Sequence, residues 1–210
     1  MPSVAQICNM ALSHIGSDAR VSTISPPDGS VEAGHCATFY DLARTEMIEP
    51  GNWRFALKRE ALAEITNEST VWLFAYTLPS DCLRPLRILT PSLGVTVFTQ
   101  DEVEVLQDDA NSARFTVEGS TIFSNEEDAV LLYVQDITDT TKFTPSFTSA
   151  LSYLLSSYLA GPIVKGNEGV RVGDAMRQRA QALADLSATS SANASSADNA
   201  PQPTLLAVRA

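Results

Sequence analysis

Side chains able to do acid–base or nucleophilic chemistry are few in this 210-residue chain, which has two histidines and three cysteines. His14 falls near the end of a predicted first helix and His35 near the start of a second. Neither has a serine or cysteine and an acid at a catalytic spacing. Adjacent helix residues such as His35 and Cys36 point in different directions, which disfavours a Cys–His pair. We therefore expect packed or helix-terminal histidines, no catalytic residues and no enzymatic activity.

Ligands for a metal or cofactor are equally sparse. Carboxylates cluster at Asp108–Asp109 and at Glu126–Asp128, but their spacing matches no calcium loop. The cysteines Cys8, Cys36 and Cys82 are widely spaced, form no CxxC pair and lie in apolar contexts typical of buried, reduced thiols. No glycine-rich phosphate motif is present. The sequence predicts neither a metal nor a cofactor.

The charge of the chain is strongly negative and unevenly placed. The net charge is −11, which argues against a role in neutralising phosphates. Residues 100–136 contain ten acids and one base, Arg114, so −9 of the −11 lies there. An acidic run is commonly a solvated face. The sharper hypothesis is a surface that lies near DNA without binding it, with Glu126, Glu127 and Asp128 as candidate channel-facing residues.

Helical periodicity at both ends of the chain encloses a middle with the period of strands. One helix is predicted from Ser3, a capping residue, to Gly16, and a second from Ser30 to Pro50–Gly51. A short helix is predicted within residues 52–65. Later, Thr144–Pro145 is typical of a helix start. Gly161–Pro162 is predicted to interrupt that helix, with a further one from about Glu168.

Between these helices, the pattern indicates extended chain. Residues 71–76 alternate, which puts Trp72, Phe74 and Tyr76 on one face. Strands are predicted around 95–97, 103–105 and 115–117, followed by a buried strand over 129–137. Hairpin turns are predicted at 118–120 and at 125–128.

The predicted fold class is α+β: a helical bundle with a small antiparallel β insertion and an extended C-terminal arm. The bundle takes residues 1–70 and 144–187, the connector and insertion take 71–143, and the arm takes 188–210. The apolar run from Ala150 is too short to span a bilayer, so no membrane contact is expected.

The predicted arm is rich in Ala and Ser and ends in the apolar hexapeptide LLAVRA. A segment of this composition does not bury enough apolar surface to fold alone. One hypothesis is a disordered terminus. The other is a tether with an anchor that docks on a partner. Under that hypothesis, the candidate docking residues are Leu205, Leu206, Val208 and Arg209.

The order of three motifs resembles a known family. These are CNMALSHIG from Cys8, EAGHCATFYDLARTEMIEPGNWRFALKREAL from Glu32, and WLFAYTLPSDCLRPLRI from Trp72. Together they resemble the tail tubular protein A family, the head-to-tail adaptors of short-tailed double-stranded DNA phages. The likeness covers Val4 to Leu89, and the later helices and Arg209 fit it more loosely.

The resemblance implies a structural virion protein, assembled in the host cytoplasm. It implies a homo-oligomeric ring of twelve copies between the portal protein and the tail nozzle protein, around a channel through which DNA passes without specific binding. It also implies that Trp53, Trp72 and their aromatic neighbours lock the connector between bundle and sheet. Arg84 and Arg87 would then be available for ion pairs between subunits.

Two further classes of function stay open. One is a soluble acidic binding module, either a scaffold or a regulator that mimics DNA. The other is a hydrolase whose site is not visible in the sequence. An adaptor should assemble or bind portal rings, a DNA mimic should compete with DNA for a binding protein, and an enzyme should act alone.

Overall fold

The structure is a computed structural model, and it describes residues 2–51, 53–89 and 112–198. It has four helices: α1 (Val4–His14), α2 (Val31–Ile48), α3 (Pro145–Val164) and α4 (Gly166–Asp198). Its strands are β1 (Leu57–Ala61), β2 (Glu64–Ile65), β3 (Phe74–Thr77), β4 (Cys82–Leu89), β5 (Ser112–Ala113), β6 (Phe115–Glu118), β7 (Thr121–Ser124) and β8 (Val130–Gln135). The predicted α+β class is confirmed.

The helices begin where capping residues were predicted. The Ser3 hydroxyl accepts a hydrogen bond from the Gln6 N–H, and the Gln6 side chain accepts one from the Ser3 N–H, which completes a capping box. Ser30 caps α2 by accepting from the Ala33 N–H, and Thr144 caps α3 in the same way. These side chains satisfy backbone donors that a helix N-terminus otherwise leaves unpaired.

Helices from both ends of the chain share one hydrophobic core. α3 packs against α1, α2 and α4, and its inner face is fully buried. An aromatic group lies beneath it, in which Trp53 packs edge-on against Phe147 with ring centroids 5.0 Å apart. Phe55 and Phe143 complete this group. The segment after α2 is thereby fixed against the start of α3.

Two antiparallel sheets of four strands form the rest of the described chain, in the orders β1-β8-β4-β5 and β2-β3-β7-β6. β8 is central in the first sheet, and its residues from Leu131 to Val134 are all buried, as expected of a strand covered on both faces. A second core lies between the sheets and contains Tyr76, Ile88 and Ile122, together with β8 residues. The polypeptide passes from one sheet to the other at residues 125–129.

Two local predictions in the middle of the chain were wrong. The expected short helix within 52–65 is a single turn, Arg54–Ala56, followed by β1, which pairs with β8. Pairing with a buried strand overrides the helical propensity of this segment. The turn at 125–128 is not a hairpin, because β7 and β8 belong to different sheets. The hairpin predicted at 118–120 is confirmed, with Gly119 at φ +60° between β6 and β7. The strands predicted around 95–97 and 103–105 lie outside the described residues.

The break between α3 and α4 lies later than predicted. Pro162 is within α3, which continues to Val164. Proline removes one backbone donor, but here this occurs in the last turn of the helix. The chain turns instead at Lys165 and Gly166, which both have positive φ. α4 then continues to Asp198, so the expectation of an extended arm is wrong for residues 188–198. Residues 199–210 lie outside the described residues.

Among the described helices, α3 alone has the length and apolar composition that would allow it to cross a membrane. The expectation that this run is too short was therefore wrong, since α3 has 20 residues. Fifty-six per cent of its most apolar window is buried inside the protein. Its apolar composition is accounted for by packing against the other three helices.

Candidate functional site

The three acids predicted to face a channel lie in the connection between the two sheets. Glu126 is half-buried, and Glu127 and Asp128 are exposed. The Tyr76 hydroxyl donates a 2.5 Å hydrogen bond to the Glu126 carbonyl, and the Ser124 hydroxyl accepts one from the Glu126 N–H at 3.2 Å. These bonds fix the backbone of the turn, on which Glu127 and Asp128 are exposed to solvent. They form a negative surface on a rigid support.

The described chain on either side of residues 90–111 lies at this same end of the first sheet. Leu89, the last residue of β4, pairs with Val130 and with Ser112. The predicted acidic residues Asp101, Glu102, Glu104, Asp108 and Asp109 lie outside the described residues.

An apolar loop adjoins the acidic turn. Val71 is 78% exposed and Leu73 is 69% exposed, while Trp72 is half-buried. The Leu73 N–H donates to the side-chain oxygen of Asn125 at 3.1 Å, which connects the loop to the turn. We call residues 66–73 and 125–128 together the sheet tip. Its combination of exposed aliphatic side chains and carboxylates is typical of a surface that contacts other molecules.

Trp72 was expected to pack with Trp53, Phe74 and Tyr76 where the connector joins the bundle to the sheet, and it lies apart from all three. Phe74 and Tyr76 belong to the core between the sheets, and Trp53 belongs to the helical core. Trp72 belongs to neither, and its carbonyl accepts a hydrogen bond from the Asn67 side chain at 2.6 Å. Sequence alternation placed Trp72 on the face of Phe74 and Tyr76, but β3 begins only at Phe74.

The opposite end of the sheets is joined to the helices by an ion pair that the sequence analysis missed. Arg44, on α2, is only 4% exposed and donates hydrogen bonds to the Asp136 carboxylate and to the Ile137 carbonyl. Burial alone would lower the pKa of the Arg44 guanidinium, but the hydrogen bond and charge of Asp136 raise it above its usual value. Arg44 is four residues after Tyr40, so the helical period places it on the buried face of α2. This spacing could have predicted a buried arginine that needs an acidic partner. Asp136 had been grouped with the solvated acids.

A second polar cluster lies beside this joint. Lys58 contacts Glu60 at 2.8 Å and Asp81 at 3.0 Å. The Tyr133 hydroxyl lies 2.7 Å from Asp81 and 2.8 Å from Glu60, and Gln135 donates to Asp81 at 2.7 Å. Burial raises the pKa of Tyr133, so the hydroxyl stays protonated. The Tyr133 hydroxyl donates its one proton to either Asp81 or Glu60, and the positive charge of Lys58 offsets the negative charge of the other carboxylate. The arrangement ties β1, β8 and the start of β4 together.

His14 has the packed environment that the sequence predicted for both histidines. Its Nε2 lies 3.1 Å from the Ser152 hydroxyl, and its ring stacks on Tyr153 at 4.0 Å. This resembles half of a Ser–His pair, but Ser152 is fully buried and donates its proton to the Ser149 carbonyl. Within the described ranges, no group of three or more His, Cys, Asp or Glu side chains is arranged to hold a metal ion.

The remaining predicted positions divide between described and undescribed chain. Arg84 and Arg87 lie on β4 and are half-buried, and the buried Nε of Arg84 has no hydrogen-bond partner within the described part of the protein. Cys8 and Cys36 are buried free thiols, and Cys82 is half-buried. The candidate docking residues Leu205, Leu206, Val208 and Arg209 lie outside the described residues. Comparison of the chain with protein-family models and with curated proteins gave no match to either.

Proposed function

We propose that the chain is a structural virion protein, a head-to-tail adaptor similar to the tail tubular protein A family. In this proposal, its copies form a ring, of twelve as in that family, between the portal and the tail nozzle. The helices from both chain ends form a bundle that builds the ring, and the ring surrounds a channel through which DNA passes. The protein acts by connecting other proteins and performs no catalysis.

The ordered resemblance from Val4 to Leu89 is the observation that carries this proposal. Its motifs fall on α1, α2, the Trp53 segment and the strands β3 and β4. These parts supply α1, α2 and Trp53 to the shared helical core, and Arg44 to the ion pair with Asp136 that joins this core to the sheets. A likeness concentrated on elements that set the relative position of two layers supports a shared architecture more than scattered surface matches would.

The sheet tip supports a position near DNA. Glu127 and Asp128 are exposed, and the sequence of residues 90–111, outside the described chain, contains five more acids. Like charges repel the phosphate backbone, so a channel lined in this way lets DNA pass without retention. The exposed Val71 and Leu73 supply apolar contact area for a neighbouring protein beside the acids.

The test is to mix the purified chain with a portal protein of a short-tailed phage and to image the product by electron microscopy. Rings seated on portal particles are expected. Portal alone, and the chain alone at the same concentration, are the controls. Absence of any ring, and of any complex with portals from several such phages, would contradict the proposal.

The same exposed carboxylates favour one second candidate, an acidic binding module that acts as a scaffold or mimics DNA. This candidate predicts competition with duplex DNA for a basic DNA-binding protein, with the chain acting as a monomer. The adaptor predicts assembly and no such competition. A fluorescence competition assay on the material used for imaging therefore separates the two.

A further inference from the structure

A groove lies between the end of α2 and the middle of α4. Its volume is about 280 Å³. The floor is apolar and consists of Met47, Trp53, Leu154 and Ala180, all buried. The rim is polar: Glu46, Arg177, Gln181 and Asp185. The groove is thus shaped to accept apolar side chains from outside while charged groups remain in water.

The polar groups nearest the floor already have partners. The Trp53 indole N–H donates to the Met47 carbonyl at 2.8 Å. Arg177 contacts Glu46 at 3.1 Å and donates to the Tyr158 hydroxyl at 3.1 Å. A ligand on the floor therefore has few hydrogen bonds to gain, so the complementary group is aliphatic.

The outer rim carries two exposed carboxylates. Asp185 on α4 and Glu49 after α2 are exposed, and neither has an ion pair within the described ranges. A shallower cavity, also lined by Glu46 and Pro50, extends the groove past Glu49 to Leu42 and Arg84. An extended hexapeptide is about 20 Å long. The complementary segment therefore has aliphatic side chains and one cation near them.

We propose that this groove binds residues 205–210 of a second copy of the chain. The segment LLAVRA has three branched aliphatic side chains and one arginine, which match the apolar floor and the acidic rim. This inference rests on the proposed function, because a ring brings copies side by side. It assigns the candidate anchor residues Leu205, Leu206, Val208 and Arg209 to a defined site on the neighbouring subunit.

Chain length favours a neighbour over the same copy. From Ala184 in the groove to Asp198, α4 advances about 21 Å, at about 1.5 Å per residue. The six residues 199–204 span about 22 Å at most. To bring Leu205 back to the groove of the same copy, residues 199–204 would have to be fully extended. No length would then remain for the turn that reverses the chain direction after α4. A neighbouring groove imposes no such constraint.

Disulfide trapping on full-length protein tests the site. On a Cys82→Ser background, Asp185→Cys chains are mixed with Arg209→Cys chains, oxidised with glutathione disulfide, and analysed by mass spectrometry of linked peptides. We expect the 185–209 link between copies several-fold more often than the link from the control Arg179→Cys, which is exposed and lies about 120° around α4 from Asp185. Adding Leu206→Asp to the Arg209→Cys chain should reduce the link to the control level. Equal trapping at 179 and 185, or a mainly intrachain product in the double Asp185→Cys/Arg209→Cys chain, would overturn the inference.

Portal imaging of the parent protein separates failure of the site from failure of the proposed function. Rings on portals without the 185–209 link overturn the groove assignment alone. The link without rings or portal binding overturns the adaptor and leaves a self-association site. Loss of both results overturns both proposals.

Discussion

At the scale of single residues, the two tryptophans occupy opposite kinds of environment. Trp53 is 6% exposed, donates its N–H to Met47 and packs against Phe147. Trp72 is half-buried in the loop of the sheet tip, outside both cores. The adjacent residues would suggest the reverse, since Trp53 is flanked by the polar Asn52 and Arg54 and Trp72 by the apolar Val71 and Leu73. Trp53 packs on α3, which is distant in sequence, whereas the backbone of Trp72 bonds to Asn67 and Ser69 in its own loop.

We expect Trp53→Ala to lower the free energy of unfolding by about 3–5 kcal/mol, because it leaves a cavity among buried aromatic rings. Trp72→Ala should cost about 1 kcal/mol, as substitutions outside a core commonly do. Urea unfolding followed by circular dichroism measures both, and each variant serves as the control for the other. An equal loss in the two variants would mean that Trp72 is packed as tightly as Trp53.

His14 should make stability sensitive to mild acid. Burial, and then the positive charge of Arg179, lower the pKa of His14 below its ordinary value of 6.5. The unfolded chain therefore binds this proton more readily than the folded protein does. The free energy of unfolding should fall as pH drops below about 6.5 and level off below the folded pKa. His14→Gln should reduce that slope in thermal unfolding between pH 7 and 5, whereas His35→Gln, which leaves His14 in place, should not. An unchanged slope in His14→Gln would contradict this assignment.

At the scale of secondary structure elements, local chemistry predicted where elements begin better than how far they continue. Ser3, Ser30 and Thr144 marked the helix starts correctly because a cap acts on the next three residues. The continuation of α4 over 188–198 was missed. The Ala- and Ser-rich composition was taken to indicate extended chain, without considering that a helix formed earlier in the chain continues into such a segment. Extending a nucleated helix costs little, and alanine is the best helix former. β1 was missed because its partner β8 is more than 60 residues away.

The joint between α2 and β8 depends on the Arg44–Asp136 pair. Asp136→Asn should destabilise the protein by about 3–5 kcal/mol, because it leaves the buried Arg44 charge without its partner. The double variant Arg44→Met/Asp136→Asn should recover most of that loss, since the buried charge is then absent. Chemical unfolding of the two single variants and the double variant gives the coupling energy. Additive losses would show that the two side chains do not interact energetically.

The extension of α4 is testable by truncation. Removal of residues 199–210 should leave the far-ultraviolet helical signal of the described chain intact. Removal of 188–210 should reduce it by the contribution of the eleven further residues of α4. Circular dichroism at equal molar concentration measures the difference, and thermal unfolding shows whether the core is preserved. Equal spectra for the two truncations would mean that residues 188–198 are not helical in solution.

At the scale of the whole molecule, the fold places acidic residues that are close in sequence at opposite ends of strand β8. Asp136 is at the helical end of β8 and neutralises Arg44, whereas Glu126, Glu127 and Asp128 precede β8 at the other end. The sequence count treated these acids alike, because a linear run does not show which end of a strand each residue occupies. The acidic turn could be predicted from sequence. Its association with Val71 and Leu73 required the structure.

The acidic turn should keep the protein from binding DNA. We expect Glu126→Gln, Glu127→Gln and Asp128→Asn together to increase non-specific binding to duplex DNA at low salt, because three repulsive charges are removed from one surface. The control triple Asp18→Asn, Glu32→Gln and Asp174→Asn changes the net charge equally but lies on the helical side. Fluorescence anisotropy at 50 and 200 mM salt measures both. If the repulsion comes from the acidic turn, only the first triple variant should bind DNA more tightly than the parent protein. This increase in affinity should disappear at 200 mM salt, because salt screens the charges. Equal gains in the two triples would instead assign the repulsion to net charge, and the turn would lose its proposed place beside the DNA.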